Sequence, residues 1–523
     1  MASVTTSERW GSPERRTTTP DTVFAIGVAI LFACLCGFAM SYHEMWSDEL
    51  QAWLIARDSS SLRGLREAMR HEGHTAIWYV LLYGVTRLTH RPEAMQLLHL
   101  GIATACAFVF ARSAPFPRWV RLALCLGYFP VYEYGVIARN YSIGILFLFS
   151  AAALLPRRRE RPWLLGLLLA LAAHTNAMAL VVATAFAGTV FLEPLATRDG
   201  RVQIVSALKT CLVAVAGILA ALVFFRPPPD SGFSDIGPAF LSTRSHVEHV
   251  LGHLAEAVIP ITSGRGAWGS FAAVTGSRHV APLIALVVLA CLLPYLLRRK
   301  LALLMFVASS SALFVFFYAK FNGSLRHYGF FLISLVVALW YSEVAERDSA
   351  HPATATSASS NADRLFAAFA GATLLVQLAF ALVAVRQDVL LRFSAGRATA
   401  SLLVEHHLDE LPIVGDPDTL MPPVLGYLPQ RTFYYPRGDR FGSYIVFKPS
   451  LRGPDSTVEE VFGAARELAS THHSAVGVVL ERRAAAAASA ADVGDAEKIG
   501  CIDADIALLE SYCVYRLPAP EVR

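Results

Sequence analysis

The sequence has few charged residues, and this shortage excludes an ordinary soluble protein. Only 16% of its 523 residues are charged, whereas about a quarter is usual in soluble chains, and 55% are hydrophobic. It also lacks a Walker loop, a dinucleotide fingerprint, an HExxH motif and a GxSxG motif. No internal repeat is evident, which weighs against repeat-built transporters. The composition indicates a polytopic membrane protein.

The eight cysteines have no metal-binding spacing. Six of them lie in apolar runs, where cysteine behaves as a small hydrophobic residue. The other two, Cys501 and Cys513, lie in the polar carboxyl-terminal part of the chain. If this part is extracytoplasmic, they either form a disulfide or remain two buried thiols, and the spacing leaves both open.

Two rules predict the path through the membrane: a span needs about 20 apolar residues, and Lys and Arg concentrate on the cytoplasmic side. The short apolar run 75–88 is interpreted as a helix lying in the outer interface. Counted as a span, it would place the basic stretches 112–121 and 157–159 outside. We then expect about eleven transmembrane helices, at residues 22–42, 94–111, 119–136, 141–155, 162–175, 177–194, 205–225, 280–297, 301–319, 328–343 and 365–385.

The same path divides the chain into three parts. Residues 1–21 are rich in Ser, Thr, Pro and Arg and are predicted to be a disordered cytoplasmic tail. Residues 22–386 form the membrane module, and residues 387–523 mix strand and helix signals, which predicts a small extracytoplasmic α/β domain. Three connections of the membrane module are long: the first outer loop 43–93, the long outer loop 226–279 and the cytoplasmic linker 344–363.

An acidic pair, Asp48 and Glu49, directly follows the first predicted span within Y-H-E-M-W-S-D-E-L-Q-A-W. The aromatic residues of this string are typical of the water–lipid boundary. A carboxylate at this boundary could serve as a base for a reaction on a lipid-linked group. The alternative is an ordinary acidic pair that caps the helix after it.

Several possible cations are also predicted at the outer face, where they oppose the usual bias of positive charge towards the cytoplasm. Arg139 lies in A-R-N-Y-S between two apolar runs, and Lys320, Arg326 and His327 lie in A-K-F-N-G-S-L-R-H-Y-G. The planar guanidinium of arginine binds two phosphate oxygens at once, so these residues suit a phosphate site. The alternatives are an interface anchor for Arg139 and topology-setting charge for the others.

Three further polar residues lie at predicted outer boundaries and are candidates for substrate binding: His74, Asn140 and His174. Polar residues at membrane depth are costly, which favours function. A lone histidine at the interface can equally be a hydrogen-bonded structural residue.

Taken together, four strings resemble those of GT-C glycosyltransferases, membrane enzymes that use polyprenyl-phosphate sugars and include protein O-mannosyltransferases and aminoarabinose transferases. The resemblance covers residues 22–345 and rests on W-S-D-E (46–49), H-E-G-H-T-A-I-W (71–78), A-R-N-Y-S (138–142) and R-H-Y-G (326–329). It implies that Asp48 is the catalytic base and that a short helix lies against the outer leaflet. The family's His-Pro-Pro-Leu element is matched only in part, since Thr75 and Ala76 follow His74.

We therefore expect an inverting glycosyltransferase of the bacterial plasma membrane that moves a sugar from polyprenyl phosphate to an acceptor hydroxyl on a glycan, lipid or protein. Glu49 would orient Asp48 or bind sugar hydroxyls, although it could itself be the base. We expect membrane lipid around the protein, and no metal, cofactor or nucleic acid. The alternatives are a transporter or flippase of a lipid-linked glycan and a structural protein that binds cell-wall glycan.

Overall fold

The computed structural model describes most of the chain, with gaps at the amino terminus and in several connections. Most of the predicted tail 1–21, much of the long outer loop and residues 349–359 of the predicted linker lie outside the described residues. The described residues are 19–197, 201–231, 244–263, 267–268, 277, 279–348, 360–451 and 456–520.

The membrane module is helical. Seven of its described helices are long and apolar enough to cross a membrane, and four shorter apolar helices accompany them. The long helices are α1 (Thr19–Tyr42), α5 (Glu93–Ser113), α9 (Ala177–Thr197), α10 (Arg201–Phe225), α13 (Lys300–Ala319), α14 (Leu325–Asp348) and α15 (Asn361–Leu390). The shorter ones are α4 (Ala76–Thr86), α7 (Tyr141–Leu154), α8 (Pro162–Ala173) and α12 (Val280–Leu296). The remaining helices of this part are α2 (Ser47–Asp58), α3 (Leu62–Ala68), α6 (Arg118–Cys125) and α11 (Arg244–Val258).

These bounds confirm the predicted polytopic helical fold. Helix α4, expected at the interface, has 11 residues and is too short to span a bilayer unaided. The long outer loop contains α11 and a two-residue strand pair, β1 (Thr262–Ser263) with β2 (Ala267–Trp268). At the centre of the module lies α14, 94% of whose apolar stretch is buried by its neighbours.

One expected span, residues 119–136, is broken. Helix α6 ends at Cys125, and a π-helical segment follows at Phe129–Val136. Pro130 lies at the start of this segment, where its missing N–H and its ring prevent a continuous α-helix. π-Helical turns are frequent at functional sites. This segment ends three residues before Arg139, so the break affects the direction of the backbone that leads into Arg139.

The carboxyl-terminal part is the expected α/β domain. Its six-stranded sheet has the order β5-β4-β3-β6-β8-β7, in which β3 is parallel to β4 and β6 and the other pairs are antiparallel. A disulfide joins Cys501 of β7 to Cys513 of β8. The strands are β3 (Ile413–Asp416), β4 (Phe433–Tyr435), β5 (Arg440–Gly442), β6 (Val476–Glu481), β7 (Glu497–Ile502) and β8 (Tyr512–Leu517), and the helices are α16 (Gly396–Glu405), α17 (Pro422–Leu425), α18 (Val458–His472), α19 (Arg482–Ala487) and α20 (Ala490–Val493).

This domain shares its core with the first loop of the membrane module. Leu54 of α2 is fully buried among the apolar side chains of the domain, and α17 packs directly on α2. Helix α2 therefore lies between the two parts of the protein, and ten of its twelve residues are buried.

Candidate functional site

Three side chains from distant parts of the chain meet at the start of α2. Arg326 Nη2 lies 2.6 Å from Asp48 Oδ2, and Arg139 Nη2 lies 3.9 Å from the same oxygen. Arg139 Nη1 also donates a hydrogen bond to the Asp48 carbonyl. Asp48 is the second residue of α2, Arg139 follows the π-helical segment, and Arg326 is the second residue of α14. These three are the predicted base and two of the predicted phosphate ligands.

The cluster has more positive than negative charge. One carboxylate faces two guanidinium groups, and the Asp48 side chain is 36% exposed while the two arginine side chains are 11% and 10% exposed. Although burial raises it, Arg139 and Arg326 together hold the pKa of Asp48 below its usual value. Asp48 is therefore ionised at neutral pH. Among the described residues it is the carboxylate that forms an ion pair with both arginines.

Glu49 does not share the exposed side of this cluster. Its Oε1 accepts a 2.6 Å hydrogen bond from the Ala138 N–H, and its Oε2 lies 3.0 Å from His43 Nε2 and accepts from the Trp46 N–H at 3.3 Å. The side chain is fully buried. Since Ala138 and Trp46 flank Arg139 and Asp48 closely in sequence, Glu49 fixes the backbones that carry the two charged groups.

A buried histidine extends this network. His43 Nδ1 lies 2.9 Å from Asp388 Oδ2, and the Tyr132 hydroxyl donates to Asp388 Oδ1 at 2.8 Å. Burial lowers the pKa of His43, but the carboxylates of Asp388 and Glu49 outweigh it and raise the pKa to about 10. His43 is thus a buried cation between two carboxylates. Sequence reasoning did not single out His43 or Asp388, because the contact between them joins residues that are 345 positions apart.

The two nearby histidines are in different situations. Burial, followed by the charge of Arg139, lowers the pKa of His74 to about 4, so this side chain is neutral beside Asp48. His327 Nδ1 accepts from the Ser324 N–H at 2.9 Å, which leaves the proton on Nε2 to be donated to the Tyr141 hydroxyl at 2.8 Å. Both histidines can therefore take part in hydrogen bonding without adding charge.

Three predicted ligands lie outside the cluster. Asn140 Nδ2 donates to the Thr175 carbonyl at 2.9 Å, and the His174 ring packs edge-on against Phe224. These are structural contacts, so neither residue has a role in the mechanism proposed below. Lys320 is exposed at the end of α13, and in the part of the chain that the structure describes it has no ion-pair partner.

A carboxyl group that the sequence did not indicate lies beside the cluster. Glu72 is buried, accepts from Gln51 Nε2 at 2.8 Å and from the Tyr79 hydroxyl at 3.3 Å, and has no cation in direct contact among the described residues. Burial raises the pKa of Glu72 to about 7, although Arg139 acts against it. Its place in H-E-G-H was visible, but its burial depends on α2 and α4 and could not be read from the string.

A small apolar cavity lies next to the charged cluster. Tyr134 joins the two, because its ring lines the cavity while its hydroxyl donates to the Arg326 carbonyl at 2.7 Å. The cavity is otherwise lined almost entirely by apolar side chains of α1, α5, α6, α7 and α14, among them Phe32, Cys106, Phe110, Ile145, Phe149 and Leu332. Across the described residues, no three His, Cys, Asp or Glu side chains are grouped to hold a metal ion.

Comparison with solved structures finds several matching chains, one of which is described here. The chain is similar to the crystal structure of ArnT from Cupriavidus metallidurans in the apo state, with 14% sequence identity and a TM-score of 0.47. The similarity covers 95% of this chain and 100% of that one. No protein-family model and no curated protein matches the chain.

Proposed function

We propose that the protein is a membrane glycosyltransferase that moves a sugar from a polyprenyl phosphate to an acceptor hydroxyl. The observation that carries the proposal is the pairing of one ionised carboxylate with two arginines beside an apolar cavity. A donor of this class has one anionic phosphate group between a hydrocarbon chain and a sugar. Arg139 and Arg326 suit the phosphate, since guanidinium groups bind its oxygens in pairs.

The apolar cavity suits the hydrocarbon chain of the donor. Tyr134 contacts both the cavity and the backbone of Arg326, so a phosphate on the arginines would hold the first isoprene units at the cavity. A soluble nucleotide-sugar would leave this cavity unused. The geometry therefore favours a lipid-linked donor over a nucleotide-linked one.

Asp48 is the proposed base. A phosphate that binds Arg139 and Arg326 would compete with the Asp48 carboxylate for their hydrogen bonds, which frees Asp48 to accept a proton. The acceptor hydroxyl loses its proton to Asp48 as its oxygen bonds to the anomeric carbon. The bond from that carbon to the phosphate oxygen breaks, and its electron pair leaves with the polyprenyl phosphate. A single displacement of this kind inverts the anomeric centre, and the two arginines stabilise the charge that gathers on the leaving group.

This mechanism needs no metal, because the two arginines supply the positive charge. Neutral His74 and His327 would bind hydroxyl or phosphate oxygens, and Glu49 would orient rather than react. The site and the α/β domain lie at the same end of the helical bundle. We propose that this end faces away from the cytoplasm of a bacterial-type plasma membrane, since the clusters 157–159 and 298–300 lie at the other ends of their helices.

Asp48→Asn tests the proposal in purified protein with a polyprenyl-phosphate sugar donor. We expect transfer to fall by about 10²- to 10⁴-fold, the usual contribution of a positioned base, while donor binding persists. Asp348→Asn, which changes a carboxylate at the far end of α14, is the matched control and should transfer normally. If the wild-type protein forms no product with any acceptor but moves donor lipid across vesicles, the protein is a carrier and the enzyme proposal is wrong.

A further inference from the structure

The α/β domain contacts α2 along its whole length. The Gln51 side chain exchanges two 2.8 Å hydrogen bonds with the backbone of Ile445, its Nε2 donating to the carbonyl and its Oε1 accepting from the N–H. One turn and a half later, Arg57 Nη1 donates to the carbonyls of Leu425 and Leu428 at 3.2 Å. At Gly426, an added Cβ would lie 2.6 Å from the Leu50 side chain, so a larger residue would require that side chain to move. Helix α2 is thus held against the α/β domain by hydrogen bonds and close packing.

The first turn of α2 is held by two contacts from that domain, one of which is made by a carboxyl group. Glu510 Oε1 accepts a 2.9 Å hydrogen bond from the Ser47 N–H, and the Ser47 hydroxyl donates to the Thr419 carbonyl at 3.1 Å. Ser47 directly precedes Asp48. The first N–H groups of a helix have no partner within the helix, so an outside acceptor decides how that turn is placed. Here the acceptor comes from 463 residues further along the chain.

Glu510 is itself rigidly placed. It is 2% exposed, and its carbonyl accepts from the Ala395 N–H at 3.0 Å. Burial raises the pKa of Glu510 to about 8, so its carboxyl group is largely protonated at neutral pH and acts as a hydrogen-bond acceptor rather than a full charge.

We infer that Glu510 is a positioning residue for Asp48, and that the α/β domain completes the catalytic site rather than serving only to recognise an acceptor. This inference rests on the proposed function of Asp48. Glu510 fixes the first turn of α2 from one side while Glu49 fixes it from the other through Ala138, so the Asp48 carboxylate is held between two anchors. Small displacements of such a group are costly, since about 1 Å of misplacement can reduce a rate by about 10²-fold.

The test compares Glu510→Ala, Glu510→Gln and Glu481→Ala in the full-length protein. Glu481 is the matched control, because it is a buried carboxylate of the same domain that accepts from backbone N–H groups, those of Arg483 and Ala484, away from α2. We expect Glu510→Ala to lower kcat at least tenfold with donor KM changed less than threefold. Glu510→Gln, which keeps an oxygen acceptor, should stay within threefold of wild type, as should Glu481→Ala.

Ser47→Pro provides a second variant in case Glu510→Ala does not fold. Proline is well tolerated at the first position of a helix, yet it removes the N–H that donates to Glu510, together with the hydroxyl that donates to the Thr419 carbonyl. It should lower kcat as Glu510→Ala does, and the double variant should be no slower than either single variant. Equal kcat in wild type, Glu510→Ala and Ser47→Pro would overturn the inference, as would a loss in Glu510→Ala that Glu510→Gln does not restore.

Hydrogen exchange separates this inference from the proposed function, because it needs no turnover. Glu510→Ala should speed exchange in the peptide 44–54 by at least tenfold, whereas Glu481→Ala should leave it unchanged. If the wild type transfers no sugar but Glu510→Ala still speeds exchange in this peptide, the proposed function is contradicted and the positioning role of Glu510 is supported. Unchanged exchange in Glu510→Ala would contradict the claim that Glu510 positions the first turn of α2, whatever the protein catalyses.

Discussion

The two ends of α14 carry opposite charge arrangements. At its first turn, Arg326 and Arg139 share the single carboxylate of Asp48. At its last turn, Asp348 and Glu193 share the single guanidinium of Arg158, each at 2.6 Å. The helix has 24 residues, so the two clusters lie on the order of 35 Å apart, about the thickness of a bilayer core.

A second cluster near the last turn has the same character. Arg299 Nη1 lies 2.7 Å from Glu343 and within 3.2 Å of Glu346. Arg158 and Arg299 therefore each contact two carboxylates. At the Asp48 end, two arginines contact one carboxylate among the described residues. We propose that this difference suits the Asp48 end, and not the other, to binding an anion.

The largest expected effect comes from removing one arginine at each end. Arg326→Ala should lower kcat by about 10²- to 10³-fold, the usual loss when one group that stabilises a developing negative charge is removed. It should change the melting temperature little, because Arg139 still balances Asp48. Steady-state transfer kinetics and thermal unfolding measure the two effects.

Arg158→Ala is the matched control at the opposite end. It leaves Glu193 buried without its cation, which costs about 3 kcal/mol or more of unfolding free energy, while kcat of the folded fraction stays near wild type. If Arg326→Ala loses stability and Arg158→Ala loses catalysis, the comparison between the two ends is wrong.

A smaller effect is expected at Glu72, the buried carboxyl group beside the site. Protonated Glu72 contributes stability that is fully present below its ordinary pKa of 4.5 and is lost as the pH rises through about 7. Glu72→Gln does not titrate. Its melting temperature should therefore rise relative to wild type between pH 5 and pH 7, by about 2 °C or more, and then stay level.

Glu193→Gln is the matching substitution of a buried carboxyl group near the last turn of α14. Because Glu193 is an ion-pair partner of Arg158, its replacement should lower the melting temperature throughout pH 5 to 8. A Glu72→Gln profile parallel to wild type would show that the buried carboxyl does not titrate in this range.

The smallest effect concerns the lysines at the two ends of α13, Lys300 and Lys320, which are both exposed. Lys320→Ala removes a cation that would attract the donor phosphate, and it should raise donor KM about two- to fivefold at low salt, less at high salt. Lys300→Ala should leave KM unchanged. Equal effects of the two substitutions would mean that Lys320 contributes no more to donor binding than a distant charge.

The sequence predicted the helical module and the α/β domain, and it selected Asp48, Arg139 and Arg326, which the structure brings together. These followed from long apolar runs and from cations that oppose the usual bias, both of which are local signals. The break at Pro130 was missed, because one proline hardly changes the mean hydropathy of the predicted span 119–136. Asn140 and His174 were selected for polarity at a boundary, yet the Asn140 amide donates to the Thr175 carbonyl and the His174 ring packs against Phe224.

Other residues of the site could not be found from the sequence at all. Glu72 and Glu510 are important through their burial, and burial depends on elements far away in the chain. His43 lies between two carboxylates, one of which is 345 residues away. No periodicity or motif encodes such contacts, so tertiary structure is needed to see that α2 is anchored from both sides.

The most direct test of the proposed phosphate site at Arg139 and Arg326 is mass spectrometry of the lipids that co-purify with the protein. We expect a polyprenyl phosphate sugar with the wild type and with Arg158→Ala, and at least a tenfold smaller amount with the double variant Arg139→Ala/Arg326→Ala. If the double variant retains as much of this lipid as the wild type, or if the wild type carries none even when supplied with the donor, the arginine pair is not a donor phosphate site.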